Sequence, residues 1–322
     1  MYLSAQFTMF RVCFAKRKSS KGICKMMTKF LEKIGEGLAE KWLLSVLAPA
    51  FVFFGIGFIG YMSYYGDQVF VLFWNNLSQV KQIMFCVLAL MVISGCALLV
   101  ETIQDQVFWL MQGYWPRLFE NLRYKLALKW NNRIKEKGFE LQSLVDDVSP
   151  KGRRRFAKLD AELSYLPKTS QTMPTLIGNI VLGYEQYSSI RYGLEANVFW
   201  PRIYLLLPKD VKDEVSATRS KILENVRLLI WLVASLIWVI WLPWVILSVF
   251  IALVVYSRLL NSILLHGELI KSIFDLFRFD LYKKLCFSLP KTPKEEDEMG
   301  RILGEYIYRG NIPEDLTFSD GN

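Results

Sequence analysis

The sequence contains one histidine, His266, in 322 residues. Zinc sites that need several histidines are therefore excluded, and a histidine-based catalytic triad would have to be built around this residue. The sequence also lacks the phosphate-binding loop G-x-x-x-x-G-K-[ST], a dinucleotide-binding G-x-G-x-x-G after a strand, the zinc motif H-E-x-x-H and the nucleophile elbow G-x-S-x-G. We therefore assign no catalytic residue, no metal ion and no cofactor, and the sequence weighs against an enzyme without excluding one.

Cysteine is also sparse, and its five copies form no recognisable motif. No C-x-x-C pair occurs, and no histidine stands nearby to complete a metal-binding set. Two of the five lie inside an apolar run, so we expect reduced thiols and no disulfide framework. The five are Cys13, Cys24, Cys86, Cys96 and Cys286.

Charged residues are absent from three long windows of a chain that is 53% hydrophobic. These windows are Trp42 to Tyr65, Ile83 to Val100 and Leu228 to Tyr256. An α-helix needs about 20 apolar residues to cross about 30 Å of hydrocarbon, so the first two windows predict transmembrane helices over 42–65 and 83–100. The first window also contains three glycines of the kind that mark close helix contact in lipid, Gly55, Gly57 and Gly60.

The third window is too long for one span and contains Pro243 near its middle. It is either one kinked helix or a hairpin over 226–265 that turns at Pro243. Charge favours the hairpin, because a single span would place the lysine-rich C-terminal region opposite the basic N-terminal segment, against the positive-inside rule. The second arm contains Arg258, whose side chain can reach the headgroups from near the helix end.

The same rule orients the whole chain. Residues 1–41 contain nine basic residues, whereas the loop 66–82 contains only Lys81. We therefore predict an all-α polytopic protein of the inner (plasma) membrane, with four transmembrane helices in two hairpins, 42–100 and 226–265. Both termini, a helical region 101–225 and a helical tail 266–322 are then cytoplasmic. Residues 1–25 are expected to be either a start-site extension or a basic arm on the membrane surface.

Two cytoplasmic helices can be predicted in more detail. Arg117 to Ile134 has apolar residues every four positions and basic residues between them, which indicates an amphipathic helix that fits equally well on an anionic inner leaflet and in a helical bundle. Thr292 and Glu295 indicate a helix start and Gly310 its end. The net charge of +9 is what such cytoplasmic parts accumulate, so no nucleic acid partner is expected.

Two groups of residues are candidate sites. The first would contact lipid or a protein partner, with arginine binding an anion and tryptophan anchoring at the membrane interface; its members are Arg191, Tyr192, Glu195, Trp200 and Arg202. The second, weaker group follows the last span and would bind a proton or a headgroup, although a helix with Lys271–Asp275 and Asp275–Arg278 pairs is the simpler explanation. Its members are His266, Glu268, Lys271, Asp275 and Arg278.

Three stretches carry a resemblance to a known family. They are EKIGEGLAEKWLLSVLAPAFVFFGIG near the first span, PTLIGNIVLGYEQYSSIRYGLEANVFWPRIYLLLP before the third, and FDLFRFDLYKKLCFSLP after the fourth. Together they are similar to a family of uncharacterised bacterial integral membrane proteins, over nearly all of the chain from Met27 to Gly310. The resemblance implies a bacterial multi-pass membrane protein and implies no activity.

Three functions remain compatible with the sequence. A membrane-anchored scaffold or interaction protein is favoured, because it requires none of the missing motifs. An oligomeric pore or transporter is the alternative, although the spans lack acidic residues. A membrane enzyme acting on lipid is the second alternative, and its acid and base would have to come from Glu195, His266, Glu268 or Asp275. The expected partners are the lipid bilayer, with anionic lipid in it, and either a second copy of the chain or a cytoplasmic protein.

Overall fold

The computed structural model describes residues 43–310, and every regular element in that range is helical. The predicted basic segment 1–41, with the expectation about its first 25 residues, and the tail from 311 onward lie outside the described residues. No β-strand occurs in the described range, so the predicted all-α class is confirmed. The chain divides into two compact units. The first contains the described residues up to Val107 together with Leu223–Leu259, and the second contains Phe108–Ile222 and the described residues from Leu260 onward.

We number the α-helices in chain order. The first unit begins with a π-helical turn, Leu43–Leu47, that leads into the first of them. Short 3-10 turns occupy Arg117–Phe119, Leu236–Ile240 and Pro243–Leu247. The α-helices are α1 (Ala48–Tyr65), α2 (Asp67–Asn75), α3 (Gln79–Met111), α4 (Glu120–Ser143), α5 (Pro150–Ser164), α6 (Leu176–Glu185), α7 (Tyr187–Tyr192), α8 (Ala196–Leu206), α9 (Lys209–Ser235), α10 (Ser248–Lys284) and α11 (Pro293–Arg309).

Four helical stretches of the described chain are long and apolar enough to cross a bilayer, which confirms the polytopic architecture. They are Ser45–Tyr65, Gln79–Met111, Lys209–Ile240 and Pro243–Lys284. The last three exceed the roughly 20 residues that hydrocarbon requires, so each continues beyond its apolar part. Most large apolar side chains of α3 are exposed, as expected for a helix whose backbone groups are paired internally and whose surface faces lipid.

The first unit has a small apolar core. Val46, Ala50, Ala97 and Trp231 are buried in one cluster, which brings together residues of α1, α3 and α9. The ring of Phe53 lies 5.1 Å from that of Trp231 and packs against the same cluster. These contacts join the first, second and third of the four apolar stretches.

Two of the three glycines predicted to mark close helix contact do so. Gly57 lies against Trp238, where a Cβ atom would come within 2.5 Å of the ring carbon Cζ2. A Cβ atom on Gly60 would lie 3.0 Å from Cδ1 of Leu242, whereas Gly55 has open space around it. Glycine at 57 and 60 therefore lets large side chains near the end of the third span approach the backbone of α1.

The third apolar window is interrupted, as a hairpin requires. The 3-10 turn after α9 ends at Ile240, and another begins at Pro243. Between them Leu242 has φ −132° and ψ 85°, because a following proline disfavours the helical conformation. Beyond the turn, the hydroxyl of Ser248 lies 3.5 Å from the carbonyl oxygen of Leu232, so the two arms run side by side.

The second unit has a larger apolar core built on α10. Phe274 and Tyr282 of α10 are fully buried in it, together with Phe199 and Ile203 of α8 and Leu303 of α11. Burial of large aromatic side chains is the main apolar contribution to the stability of such a core. The core therefore fixes α8 and α11 against α10.

Helix α11 starts and ends as the sequence predicts. The hydroxyl of Thr292 accepts a hydrogen bond from the backbone N–H of Glu295 at 3.2 Å, which caps the N-terminus. At the other end, Gly310 adopts φ 72° and ψ 12°, a left-handed conformation that glycine adopts without strain. Met299 and Tyr306 pack on the core of the second unit.

Candidate functional site

Polar side chains of α7, α10 and α11 form one hydrogen-bonded cluster inside the second unit. We call it the tyrosine–carboxylate network, and its members are Tyr187, Tyr192, Asp275, Arg278 and Glu296. Three of the five belong to the predicted groups, one to the first and two to the second. The structure thus joins two candidate sites that are about 80 residues apart in the sequence.

Asp275 is the acceptor at the centre of the network. Tyr192 donates its hydroxyl to Asp275 Oδ1 at 2.6 Å. Tyr187 donates to both carboxylate oxygens, at 3.0 and 3.1 Å. Burial and the bond to the Asp275 carboxylate both raise the pKa of Tyr192 above its usual value, and the same two causes raise the pKa of Tyr187. Both phenols therefore stay protonated and keep donating at physiological pH.

Arg278 connects α10 to α11. Its Nε donates to Glu296 Oε1 at 2.7 Å, and its terminal nitrogen donates to the backbone carbonyl oxygen of Asp275. Glu296 is 6% exposed, so removing either partner would leave a buried, uncompensated charge. The guanidinium also lies 4.4 Å from the ring centre of Tyr192, where the face of the ring attracts a cation.

Two further cations border the network through ring contacts. The guanidinium of Arg191 lies 5.8 Å from the ring centres of Tyr187 and Tyr192. The ammonium of Lys271 lies 5.6 Å from the ring centre of Tyr187, and it bonds to Glu268 at 2.8 Å. Lys271 therefore pairs with Glu268, and the predicted pair with Asp275 does not form, because the tyrosine hydroxyls occupy that carboxylate.

The other members of the first predicted group lie outside the network. Trp200 stacks at an angle on Tyr204 and Phe274, so its ring belongs to the apolar core. Arg202 is half-buried and donates to the carbonyl oxygen of Val198 on its own helix, and burial lowers its pKa. Glu195 is exposed and precedes α8. No carboxylate in the described range pairs with Arg202.

His266 occupies a separate buried position. Its ring is 9% exposed, and its Nδ1 lies 2.8 Å from the hydroxyl of Thr218 on α9. The ring of Tyr184 meets it edge to face at 6.2 Å. His266 thus has a hydrogen-bonded place in the packing and lies apart from the carboxylates with which its position in the sequence grouped it.

Sequence reasoning missed Tyr187, Glu296 and Glu185. The first two sit in segments whose pattern indicated only a helix, and nothing local pairs them with α10. Glu185 ends α6, and burial raises its pKa from 4.5 to about 7. A glutamate at the end of an apolar helix, LIGNIVLGYE, was the available signal.

The network holds α7, α10 and α11 together through polar groups that are paired with one another. Its hydroxyl donors are taken by Asp275, and its guanidinium is taken by Glu296. Two surface recesses, of about 360 and 180 Å³, lie elsewhere; they are lined by Tyr114 and Arg123 in one case and by Val145 and Phe156 in the other.

The described residues also contain no cluster of metal-binding side chains. Between residues 43 and 310, no three histidine, cysteine, aspartate or glutamate side chains gather as a metal ion would require. Compared with known proteins, the chain matches no protein-family model, no curated protein and no solved structure.

Proposed function

We propose that this chain is a membrane-anchored interaction protein of a bacterial inner membrane, with both termini and the second unit in the cytoplasm. The observation that carries the proposal is the hairpin of α4 and α5, because no residue of the 24-residue helix α4 is buried. Exposed apolar side chains on a water-facing unit usually mark a surface for association. The charge distribution supports the orientation, and the family resemblance supports the bacterial origin.

Ion pairs join the second half of α4 to α5, and in the first half of α4 the carbonyl oxygen of Ala127 accepts a hydrogen bond from the hydroxyl of Thr172 at 2.7 Å. Arg155 of α5 donates through Nε to Glu140 at 2.7 Å, and Lys137 pairs with Glu162. The bond from Arg155 holds the pKa of Glu140 below its usual value. Exposed pairs of this kind contribute little stability. Leu159 of α5 is 2% exposed, so α5 takes part in the packing, whereas no residue of α4 is buried.

The tip of the hairpin presents the proposed binding surface. Phe139, Val145 and Val148 are 71%, 64% and 71% exposed, and the recess of about 180 Å³ lies beside them. The turn is ordered, since Asp147 accepts from the backbone N–H of Ser149 at 2.9 Å and the hydroxyl of Ser149 caps α5. An ordered surface binds at a smaller entropy cost than a flexible one.

The charges around the tip favour a protein as the partner. Asp146 and Asp147 precede α5, and Lys151, Arg153 and Arg154 lie in its first two turns. A surface that mixes both signs of charge attracts an anionic membrane only weakly, whereas it can match the mixed charges at the rim of a protein partner. The partner is therefore a cytoplasmic protein with an apolar patch of its own.

The experiment compares two variants of the full chain extracted in lipid nanodiscs. The double variant Val145→Asp, Val148→Asp should lose a crosslinked partner that the unchanged chain captures. The matched control Leu205→Asp, at a position 68% exposed on α8, should retain it. The double variant should bind that purified partner roughly tenfold or more weakly than the unchanged chain, as expected for the loss of two apolar contacts. Equal capture by both variants, or no captured partner, would contradict the proposal.

The 3-10 turn Arg117–Phe119 and the first half of α4 have a different character, and their charges favour the bilayer. Leu118 and Leu122 are 92% and 48% exposed. Spacings of three and four residues place Lys125 and Lys129 on the side of Leu122. Apolar residues flanked by cations bind anionic leaflets.

The emission of a fluorophore attached at Leu118→Cys, in a cysteine-free background, should shift to the blue in anionic nanodiscs. The double variant Lys125→Glu, Lys129→Glu should abolish the shift. An unchanged spectrum in all lipids would assign this face to a protein partner.

A further inference from the structure

A buried cation in the first unit has no counter-charge among residues 43–310. Arg227 of α9 is 6% exposed, and its Nε has no hydrogen-bond partner in the described part of the chain. No aspartate or glutamate of residues 43–310 pairs with it. Sequence reasoning treated Arg258 as the charge within the spans, and Arg227 was overlooked because it stands at the very start of the third span.

A second orphan donor lies one helical turn away. Trp231 is 7% exposed, and its Nε1 also lacks an acceptor within residues 43–310. Residues four apart share one side of an α-helix and are separated by about 6 Å along its axis. Two buried N–H donors on one side of α9 therefore require an acceptor that the described protein does not supply.

Gln104 of α3 adds a third polar group at the same end of the first unit. Ala97 of α3 and Trp231 of α9 meet in the core of the first unit. Successive spans of a polytopic chain run in opposite directions. Gln104 lies two turns after Ala97 on α3, and Arg227 lies one turn before Trp231 on α9, so both lie toward the same end of the unit. There Gln104 is 8% exposed and its Oε1 is unpaired. An amide is neutral, so it cannot supply the missing negative charge.

Arginine cannot lose its proton, and the described residues supply no anion to neutralise it. Burying an ion without a counter-ion costs several kcal/mol, and polar groups at membrane depth are normally paired. Arg227 immediately precedes the uncharged run that begins at Leu228, which places it at the level of the lipid phosphates.

We propose that Arg227 and Trp231 bind the phosphate group of an anionic phospholipid at this end of the first unit. Phosphate oxygens provide both the negative charge and the several acceptors that the two donors lack. The lipid tails lie against the apolar surface of the spans. The site is independent of the hairpin tip and of any protein partner.

The test titrates the detergent-solubilised full chain with phosphatidylglycerol, phosphatidylcholine or inorganic phosphate while thermal unfolding is followed. We expect Tm to rise with phosphatidylglycerol, to rise less with phosphatidylcholine and not to change with phosphate. The variant Arg227→Met should weaken the apparent affinity for phosphatidylglycerol roughly tenfold or more, the loss expected for a charge-assisted hydrogen bond. The matched control is Arg258→Met, because Arg258 lies exposed on the fourth span, and its titration should match that of the unchanged chain.

A second variant protects the test against a folding defect in Arg227→Met. Trp231→Phe keeps an aromatic ring beside Phe53 and removes only the N–H donor, so it should fold and weaken the affinity roughly twofold to tenfold. An unchanged affinity in both variants would overturn the site. An equal rise in Tm with inorganic phosphate would overturn the lipid as its ligand. A higher Tm for Arg227→Met, with no loss of the response to lipid, would show that the unpaired charge only destabilises the fold, and would also overturn the site.

Discussion

Gly300 of α11 packs directly on the backbone of Tyr192, so that a Cβ atom at position 300 would overlap the carbonyl oxygen of Tyr192. The contact is reciprocal, because a Cβ atom on Gly193 would overlap the carbonyl oxygen of Asp297. Gly193 also has φ 67°, the left-handed conformation that ends α7. Two glycines thus allow α11 to approach the tyrosine–carboxylate network at backbone distance.

The first prediction follows from this contact. Gly300→Ala should lower the free energy of unfolding by about 1–3 kcal/mol, because the overlapping atom belongs to the backbone and cannot rotate away. The measurement is thermal unfolding of the purified chain.

Gly304→Ala is the matched control on the same helix. A Cβ atom there would meet only Phe199, at an ordinary 3.7 Å, and alanine is the better helix former by roughly 0.5–1 kcal/mol. Gly304→Ala should therefore be neutral or stabilising. Equal destabilisation by both variants would mean that close backbone packing is not the cause.

The second prediction concerns the hydroxyl of Tyr192. Tyr192→Phe should destabilise the chain by about 1–3 kcal/mol, because Asp275 loses its shortest bond and remains partly unsatisfied. Tyr187→Phe should have a smaller effect, since its two bonds are longer and the residue is only half-buried. Tyr308→Phe, at a position 67% exposed, is the control and should be silent in the same unfolding assay. A larger loss for Tyr187→Phe than for Tyr192→Phe would contradict the assigned geometry.

The third prediction concerns pH and Glu185. Burial raises the pKa of Glu185 from 4.5 to about 7. A group whose pKa is higher in the folded state contributes stability below its unfolded pKa and loses that contribution as pH rises through the folded value. The contribution of Glu185 to stability should therefore fall between about pH 5 and pH 8.

The variant Glu185→Gln isolates this group, because glutamine keeps the shape of the neutral acid and does not titrate. Unfolding midpoints of the unchanged chain and the variant should coincide near pH 4.5. Toward pH 8 the midpoint of the variant should become the higher of the two. The pKa values of Glu140 and Glu162 are shifted downward, so their effects fall below this window. Parallel pH profiles for the two proteins would exclude Glu185 as the titrating group.

The features that follow from local sequence were predictable. The uncharged runs identify the spans because hydrocarbon imposes both length and apolarity. Thr292 and Gly310 define the ends of α11 because capping depends on neighbouring residues only. Pro243 marks the break in the third window because it restricts the residue before it.

The polar network was not predictable in the same way. Helical spacing suggested that Asp275 would pair with Lys271, four residues earlier. In the fold, two tyrosines 83 and 88 residues away donate to Asp275, and the lysine pairs elsewhere. An exposed lysine–carboxylate pair on one helix contributes a few tenths of a kcal/mol, about 0.2–0.5, whereas hydrogen bonds to a charged, partly buried acceptor contribute about 1.5–3. Tertiary contacts therefore override the local pattern.

The fourth prediction tests the glycines of the first span. Gly57→Ala would bring a Cβ atom to 2.5 Å from Cζ2 of Trp238, and the indole is held between Phe53 and Trp241, with ring centres 5.2 and 5.4 Å away. The ring therefore has little room to retreat, and we expect a loss of about 1–3 kcal/mol in stability.

Gly55→Ala, two residues earlier with open space around it, should cost nothing. Unfolding in mild detergent, followed by tryptophan fluorescence, measures the loss. Since both variants make the same chemical change in the same helix, a loss confined to Gly57→Ala can arise only from its contact with the third span. Equal midpoints for the two variants would show that α1 and the end of the third span do not pack through Gly57.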